Sequence, residues 1–239
     1  MKLSSLAFAA TLSATGAFAQ HNHGAPAAPR AQQGMQPGMQ GQMQMPHQMQ
    51  GQMPGHSAQA VVPADPASQA FAAANAKMHK DMAMTFTGNA DADFVRGMIP
   101  HHQGAVDVSE IVLKFGKDAG VKKLAADIIA AQKTEIALMK SWLARNAAPA
   151  SSPKAALVTK AFTDINARMH TDMNVPLTGN ADRDYVAGMI PHHEGAVDMA
   201  KVLLRHGTDP ELRKLAEDVV RSQSAEIVMM IGLLRNNGG

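Results

Sequence analysis

Two clusters of soft donor side chains occur twice in this chain. Met78-His79 with Met82 recurs 91 positions later as Met169-His170 with Met173. Met98-Ile99-Pro100-His101-His102 recurs as Met189-Ile190-Pro191-His192-His193. A thioether sulfur is a soft ligand that selects Cu(I), and an imidazole accepts copper in either oxidation state. Spacings of three and four bring Met78, His79 and Met82 toward one helix face, a candidate trigonal site for Cu(I) or Ag(I). The competing reading makes Met78 and Met82 the apolar stripe that docks a short helix. In the second cluster Pro100 removes a helical hydrogen bond, so a local kink that re-aims His101 and His102 is expected.

The elements that must position these clusters follow from an internal repeat. Residues 71–146 align without gaps with 162–237, and about half of the positions are identical. Each copy reads as a short helix, a Thr-Gly-Asn-Ala-Asp turn and two longer helices. The expected spans are 70–84, 92–115 and 120–146, then 160–174, 183–206 and 210–236. Asp91 and Asp182 are candidate N-caps; Gly116 and Gly207 are candidate stops. No alternating strand pattern is present, so the class is all-α. Two hairpins with apolar seams must pair to bury them, which predicts a ferritin-like four-helix bundle with a short leading helix in each half.

The seams contain violations. A strict 3-4 spacing runs Phe94, Met98, His101, Ala105 on one helix and Ile128, Ala131, Glu135, Leu138, Trp142 on the next. The second copy runs Tyr185, Met189, His192, Ala196, then Val219, Ser222, Glu226, Met229, Leu233. His101 and Glu135 lie about seventeen residues on either side of the hairpin turn, hence at one height. His192 and Glu226 repeat this. The spacing predicts a His-Glu-His-Glu level inside the bundle, with Met98, Met139, Met189 and Met230 beside it and with His102 and His193 turned toward the neighbouring groove. A buried carboxylate needs a partner or a metal. Both readings stand at this point: a metal level, or two structural His–Glu pairs that fix bundle register.

Composition narrows the function classes. Twenty-two Lys and Arg face 20 Asp and Glu, so there is no broad basic footprint for nucleic acid. Cysteine is absent, which excludes disulfide frameworks and thiolate chemistry, while Met reaches 18 and His 11. Lys2, the apolar stretch to Phe18 and the Ala17-Phe18-Ala19 pattern read as a cleavable secretory leader over 1–19. No further long apolar run predicts a membrane span. Residues 20–68 are rich in Gln, Gly, Pro, Met and His and nearly devoid of charge, the composition of a disordered tail. That tail carries Met35, Met39, Met43, Met45, Met49 and Met53 beside His21, His23, His47 and His56, again a soft donor set. The folded domain is expected over 69–239.

The paired Asn-x-x-Met-His-x-x-Met and Met-Ile-Pro-His-His-x-x-Ala-x-Asp segments, with Gln-x-x-Glu-Ile-x-x-Met at Gln132–Met139 and Gln223–Met230, resemble domain-of-unknown-function family 305. That family comprises ferritin-like bacterial envelope proteins, some of which bind copper and support copper resistance. The resemblance covers about 70–237. It implies metal roles for Met78, His79, Met82, Met98, His101 and His102, and for Met169, His170, Met173, Met189, His192 and His193. It says little of Glu135 and Glu226, which rest on the seam argument. Met199 stands where the first half has Val108, so the halves differ.

Two functions follow as expectations. One is a periplasmic or secreted copper-binding protein that sequesters or passes on Cu(I), with Cu(II) and Ag(I) as further cargo and another envelope copper protein as partner. The other is a redox enzyme with an iron or manganese centre on His101, His192, Glu135 and Glu226. No Glu-x-x-His motif of the di-iron type is present, which makes the enzyme the weaker of the two.

Overall fold

A computed structural model describes residues 63–146 and 153–236. The expected leader and most of the Met/His tail lie outside the described residues. Six helices and no strand occur among the described residues: α1 (Pro66–Asp81), α2 (Ala90–Phe115), α3 (Ala119–Arg145), α4 (Ala155–Asp172), α5 (Ala181–His206) and α6 (Pro210–Asn236). None is long and apolar enough to cross a membrane.

Local chemistry explains the starts. Asp65 caps α1 by accepting hydrogen bonds from the amides of Ala67 and Ser68, and Pro66 opens the first turn. α1 therefore begins four residues before the expected 70. α4 also starts early, at Ala155, because the Ala-Ala-Leu-Val run after Lys154 favours helix. At α2 and α5 the caps are Asn89 and Asn180, whose side-chain oxygens accept from the amides of Ala92 and Arg183 at 3.0 and 3.1 Å. The expected caps Asp91 and Asp182 lie inside the first turn instead. Gly88 and Gly179, at φ 83° and 85°, turn the chain just before the Asn, which moves the cap upstream. Asp93 and Asp184 hold those turns by accepting from Thr87 and Gly88 and from Thr178 and Gly179.

Asp91 and Asp182 are thereby free to reach the opposite repeat. Asp91 accepts from the amides of Thr208 and Asp209 at the α5–α6 corner. Asp182 accepts from Lys117 and Asp118 at the α2–α3 corner, at 2.8 and 3.2 Å. Gly116 and Gly207 end α2 and α5 as expected, and a Cβ there would meet the Asp182 and Asp91 carboxylates at 2.4 and 2.6 Å.

α2 and α5 form the central pair, with α3 along α2, α6 along α5, and the short α1 and α4 laid on α2 and α5. The central pair is antiparallel: His101 meets His192, and Ser109, further along α2, bonds Tyr185, earlier on α5. Trp142 Nε1 donates to Asp209 at 2.8 Å and Arg145 pairs with Glu211, which ties the end of α3 to the start of α6. Two apolar clusters result. One holds Phe94, Met98, Met139, Trp142 and Leu203; the other holds Ala105, Val112, Ile128, Tyr185, Met189 and Met230. The histidine pairs fall between them.

The seams of α3 and α6 shift by one residue part-way along. α3 buries Ile128, then Gln132, Ile136 and Met139, in place of Ala131, Glu135 and Leu138. α6 buries Val219, Gln223 and Met230, leaving Ser222 exposed and Met229 54% exposed. From Ile128 the buried positions of α3 advance by four, four and three residues, close on average to the 3.6 of a straight helix, where the expected stripe steps by three first.

Candidate metal centre

The middle layer of the bundle is built from four imidazoles. His101, His102, His192 and His193 are all buried. The rings of His101 and His192 lie 3.7 Å apart between centroids across the α2–α5 contact. His192 Nε2 is 3.1 Å from the carbonyl oxygen of His101. A carbonyl only accepts, so Nε2 of His192 carries the hydrogen and its Nδ1 keeps the lone pair. That Nδ1 and both ring nitrogens of His101 have no hydrogen-bond partner. Burial, then the neighbouring imidazoles, hold both rings well below the ordinary histidine range, so they stay neutral and able to ligate.

Glu135 and Glu226 bond the second histidine of each pair, one residue beyond the expected partner. His102 Nε2 donates to Glu135 Oε2 at 2.6 Å, and His193 Nε2 to Glu226 Oε2 at 2.6 Å. The shift of the α3 and α6 stripes places each carboxylate at the edge of the buried face, where it meets His102 or His193. These two imidazoles point inward, fully buried, and do not face the neighbouring groove. Their Nδ1 atoms are buried without partners. A carboxylate on one ring nitrogen with the other left free is the arrangement that orients metal-ligating histidines.

The two short helices split their clusters. Met78 and Met82, like Met169 and Met173, are buried in the apolar core. His79 and His170, one residue round the helix, are half-buried, and their rings meet at 4.2 Å between centroids. The two thioethers and the imidazole of each motif thus face different surroundings, because adjacent helical residues differ by about 100°. Burial and the facing His170 lower the His79 pKa.

The Met78 and Met169 sulfurs lie against glycines of the central helices. A Cβ on Gly104 would be 2.4 Å from the sulfur of Met78, and one on Gly195 would be 2.1 Å from that of Met169. The same point above Gly195 lies 3.6 Å from His101 Nε2. A thioether from one repeat and an imidazole from the other therefore converge where glycine leaves room. Spacing alone did not reveal Gly104 and Gly195; Met199, the departure between the repeats, has its sulfur 3.8 Å from the Cβ position of Gly97. Met98, Met139, Met189 and Met230 are buried in the two apolar clusters on either side of the histidine layer. Among the described residues no three His, Asp or Glu side chains are grouped to hold a metal ion.

Fold and site together define a duplicated helical bundle with four buried imidazoles, two of them bonded to carboxylates, between apolar clusters that contain thioethers. Residues 91–234 match the family described as domain of unknown function (DUF305), and the chain belongs to that family. Among solved structures it is similar to a DUF305 protein from Streptomyces coelicolor, with 34% identity, 64% of this chain and 95% of that one covered, and a TM-score of 0.51. It is also similar to CopM in an Ag-bound form, with 36% identity over 65% of this chain and 100% of that one and a TM-score of 0.49. CopM in the Cu(I)-bound form shows 36% identity over 62% and 98%, with a TM-score of 0.49. A match to an uncharacterized protein of Acanthamoeba polyphaga mimivirus, 42% identical over 53 residues, spans 35% of that relative's length.

Proposed function

We propose that this chain is an exported copper-binding protein that holds Cu(I), and equally Ag(I), on methionine and histidine donors and sequesters it or passes it on in the periplasm. The observation that carries this reading is the convergence of the Met169 sulfur and His101 Nε2 above Gly195, with the imidazole fully buried and unpartnered. Leaving a buried polar nitrogen without a partner costs about 1–3 kcal/mol. A ligand that takes its lone pair removes that cost. Thioether and neutral imidazole together suit a soft monovalent ion.

The chain's own residues divide the work. Glu135 and Glu226 hold His102 and His193 in the tautomer that leaves Nδ1 free. Met78 and Met169 bring polarizable sulfur to the bundle without a proton to lose, so their affinity does not fall at mildly acid pH. Absence of cysteine suits an oxidising compartment, where thiol ligands would be lost to disulfides. The leader over 1–19 supports export, and the Met/His tail adds a second soft donor set. The iron or manganese alternative is not favoured, because Glu135 and Glu226 are engaged with His102 and His193.

The test is anaerobic Cu(I) titration of the mature protein in competition with a chromophoric chelator, with and without residues 20–62. Tight binding should survive removal of the tail and weaken at least tenfold, about 1.4 kcal/mol, in Met169→Leu and His101→Phe. Unchanged affinity in both variants, or retention of iron or manganese alone, would overturn the reading.

A further inference from the structure

The duplication is exact in register but not in volume. A cavity of about 30 Å³, room for one water-sized particle, lies where α1, α2 and α5 meet. Val108, Gly188, Met173, Met189 and His192 are in its wall. The three donor residues are nearly or fully buried, at 6%, 2% and 2% exposure for Met173, Met189 and His192. The Nδ1 of His192 is the one ring nitrogen there that no hydrogen bond engages.

In the other half the equivalent space is taken. Met199 replaces Val108, and Phe86 replaces Leu177. A Cβ on Gly97 would have the Met199 sulfur at 3.8 Å and the Phe86 ring at 3.9 Å. Its counterpart Gly188 meets nothing within 4 Å. Two longer side chains fill one copy of the site; their shorter counterparts leave the other open.

We infer that the open half is a one-ion site, in which a single soft monovalent cation enters beside Val108 and Gly188 and binds Met173, Met189 and His192, while Met199 and Phe86 close the equivalent position on the other side. The inference rests on the copper reading above and adds to it a second position, separate from the Met169–His101 pair over Gly195, that one half leaves open. Side-chain volume, rather than donor identity, makes the difference: Met82, Met98 and His101 supply the same donor types in the closed half.

Methyl-13C methionine labelling of the mature chain, titrated with diamagnetic Ag(I), tests this. In the wild type the methyl signals of Met173 and Met189 should move and saturate with one equivalent, while those of Met82 and Met98 stay in place. Val108→Met fills the cavity, and Gly188→Ala puts a methyl into it without a clash; each should abolish the Met173 and Met189 shifts and lower the stoichiometry by one. Met199→Val should add a response at Met82 and Met98. Circular dichroism checks the fold of each variant, and the wild-type titration decides even where a variant does not fold. Silver bound elsewhere with Met173 and Met189 unmoved, or shifts that persist in both filled variants, overturns the inference and leaves the copper reading intact. No silver bound at all overturns both.

Discussion

His192 meets His101 across the pseudo-twofold of the bundle, ring against ring at 3.7 Å, with its Nε2 on the His101 carbonyl oxygen at 3.1 Å. Equivalent residues of the two repeats thus form one shared polar layer between two apolar clusters. A protonated imidazole has no counter-charge in that contact and loses its hydration.

This predicts an acid-sensitive metal-free fold. Both rings have pKa values held well below 6.5 by burial first and the neighbouring imidazoles second. Above about pH 6.5 folded and unfolded chains are both neutral here, and the pair imposes no pH dependence. Below it the unfolded chain takes up protons that the folded chain refuses, so stability falls as pH drops toward the folded pKa. Urea midpoints of chelator-treated protein from pH 8 to 5 should be flat and then decline. The His101→Leu, His192→Leu double variant should flatten the decline.

Glu135→Gln should spare the fold and weaken the metal. The amide keeps the shape and an acceptor oxygen but loses the charge that fixes the His102 tautomer. Copper affinity should fall roughly 10- to 100-fold by chelator competition. Glu226→Gln should do the same through His193.

At Gly195 two effects of opposite sign compete. Alanine in a helix gains about 1 kcal/mol over glycine. Its Cβ would lie 2.1 Å from the Met169 sulfur and 2.6 Å from its Cγ, an overlap that costs about 1–3 kcal/mol. Gly195→Ala should therefore lower stability by about 1 kcal/mol. It should also weaken copper binding by pushing Met169 away from His101. Adding Met169→Ala removes the overlap but deletes a buried core side chain, at about 2–5 kcal/mol, so it should lower the urea midpoint further and leave the affinity weakened.

The cross-repeat carboxylates should act as caps at a distance. Asp91→Ala removes the acceptor for Thr208 and Asp209, and Asp182→Ala that for Lys117 and Asp118. Each should cost about 1–2 kcal/mol, as loss of an N-cap does. The two costs should add in the double variant, because the N-termini of antiparallel α2 and α5 lie at opposite ends of the bundle. Chemical denaturation of the four proteins checks both points.

By itself the sequence determined the all-α class, the two-fold repeat, the six helices among the described residues and the Met/His character of the donors. Helical periodicity, turn chemistry and side-chain softness are local properties, and each can be read within a few residues of where it acts. Tertiary structure decided which donors meet. The pairing of His102 with Glu135 depends on the α3 stripe stepping by four residues after Ile128, where a fixed 3-4 count steps by three and misplaces it by one residue. Asp91 looked like its own helix's cap and instead binds the other repeat's corner, since Asn89 already fills that role. Met169 reaches His101 over Gly195 through a contact between repeats, which no spacing within one helix encodes. The open and closed halves differ in the reach of Val108 against Met199 and of Leu177 against Phe86, and volume becomes visible only once neighbours surround it.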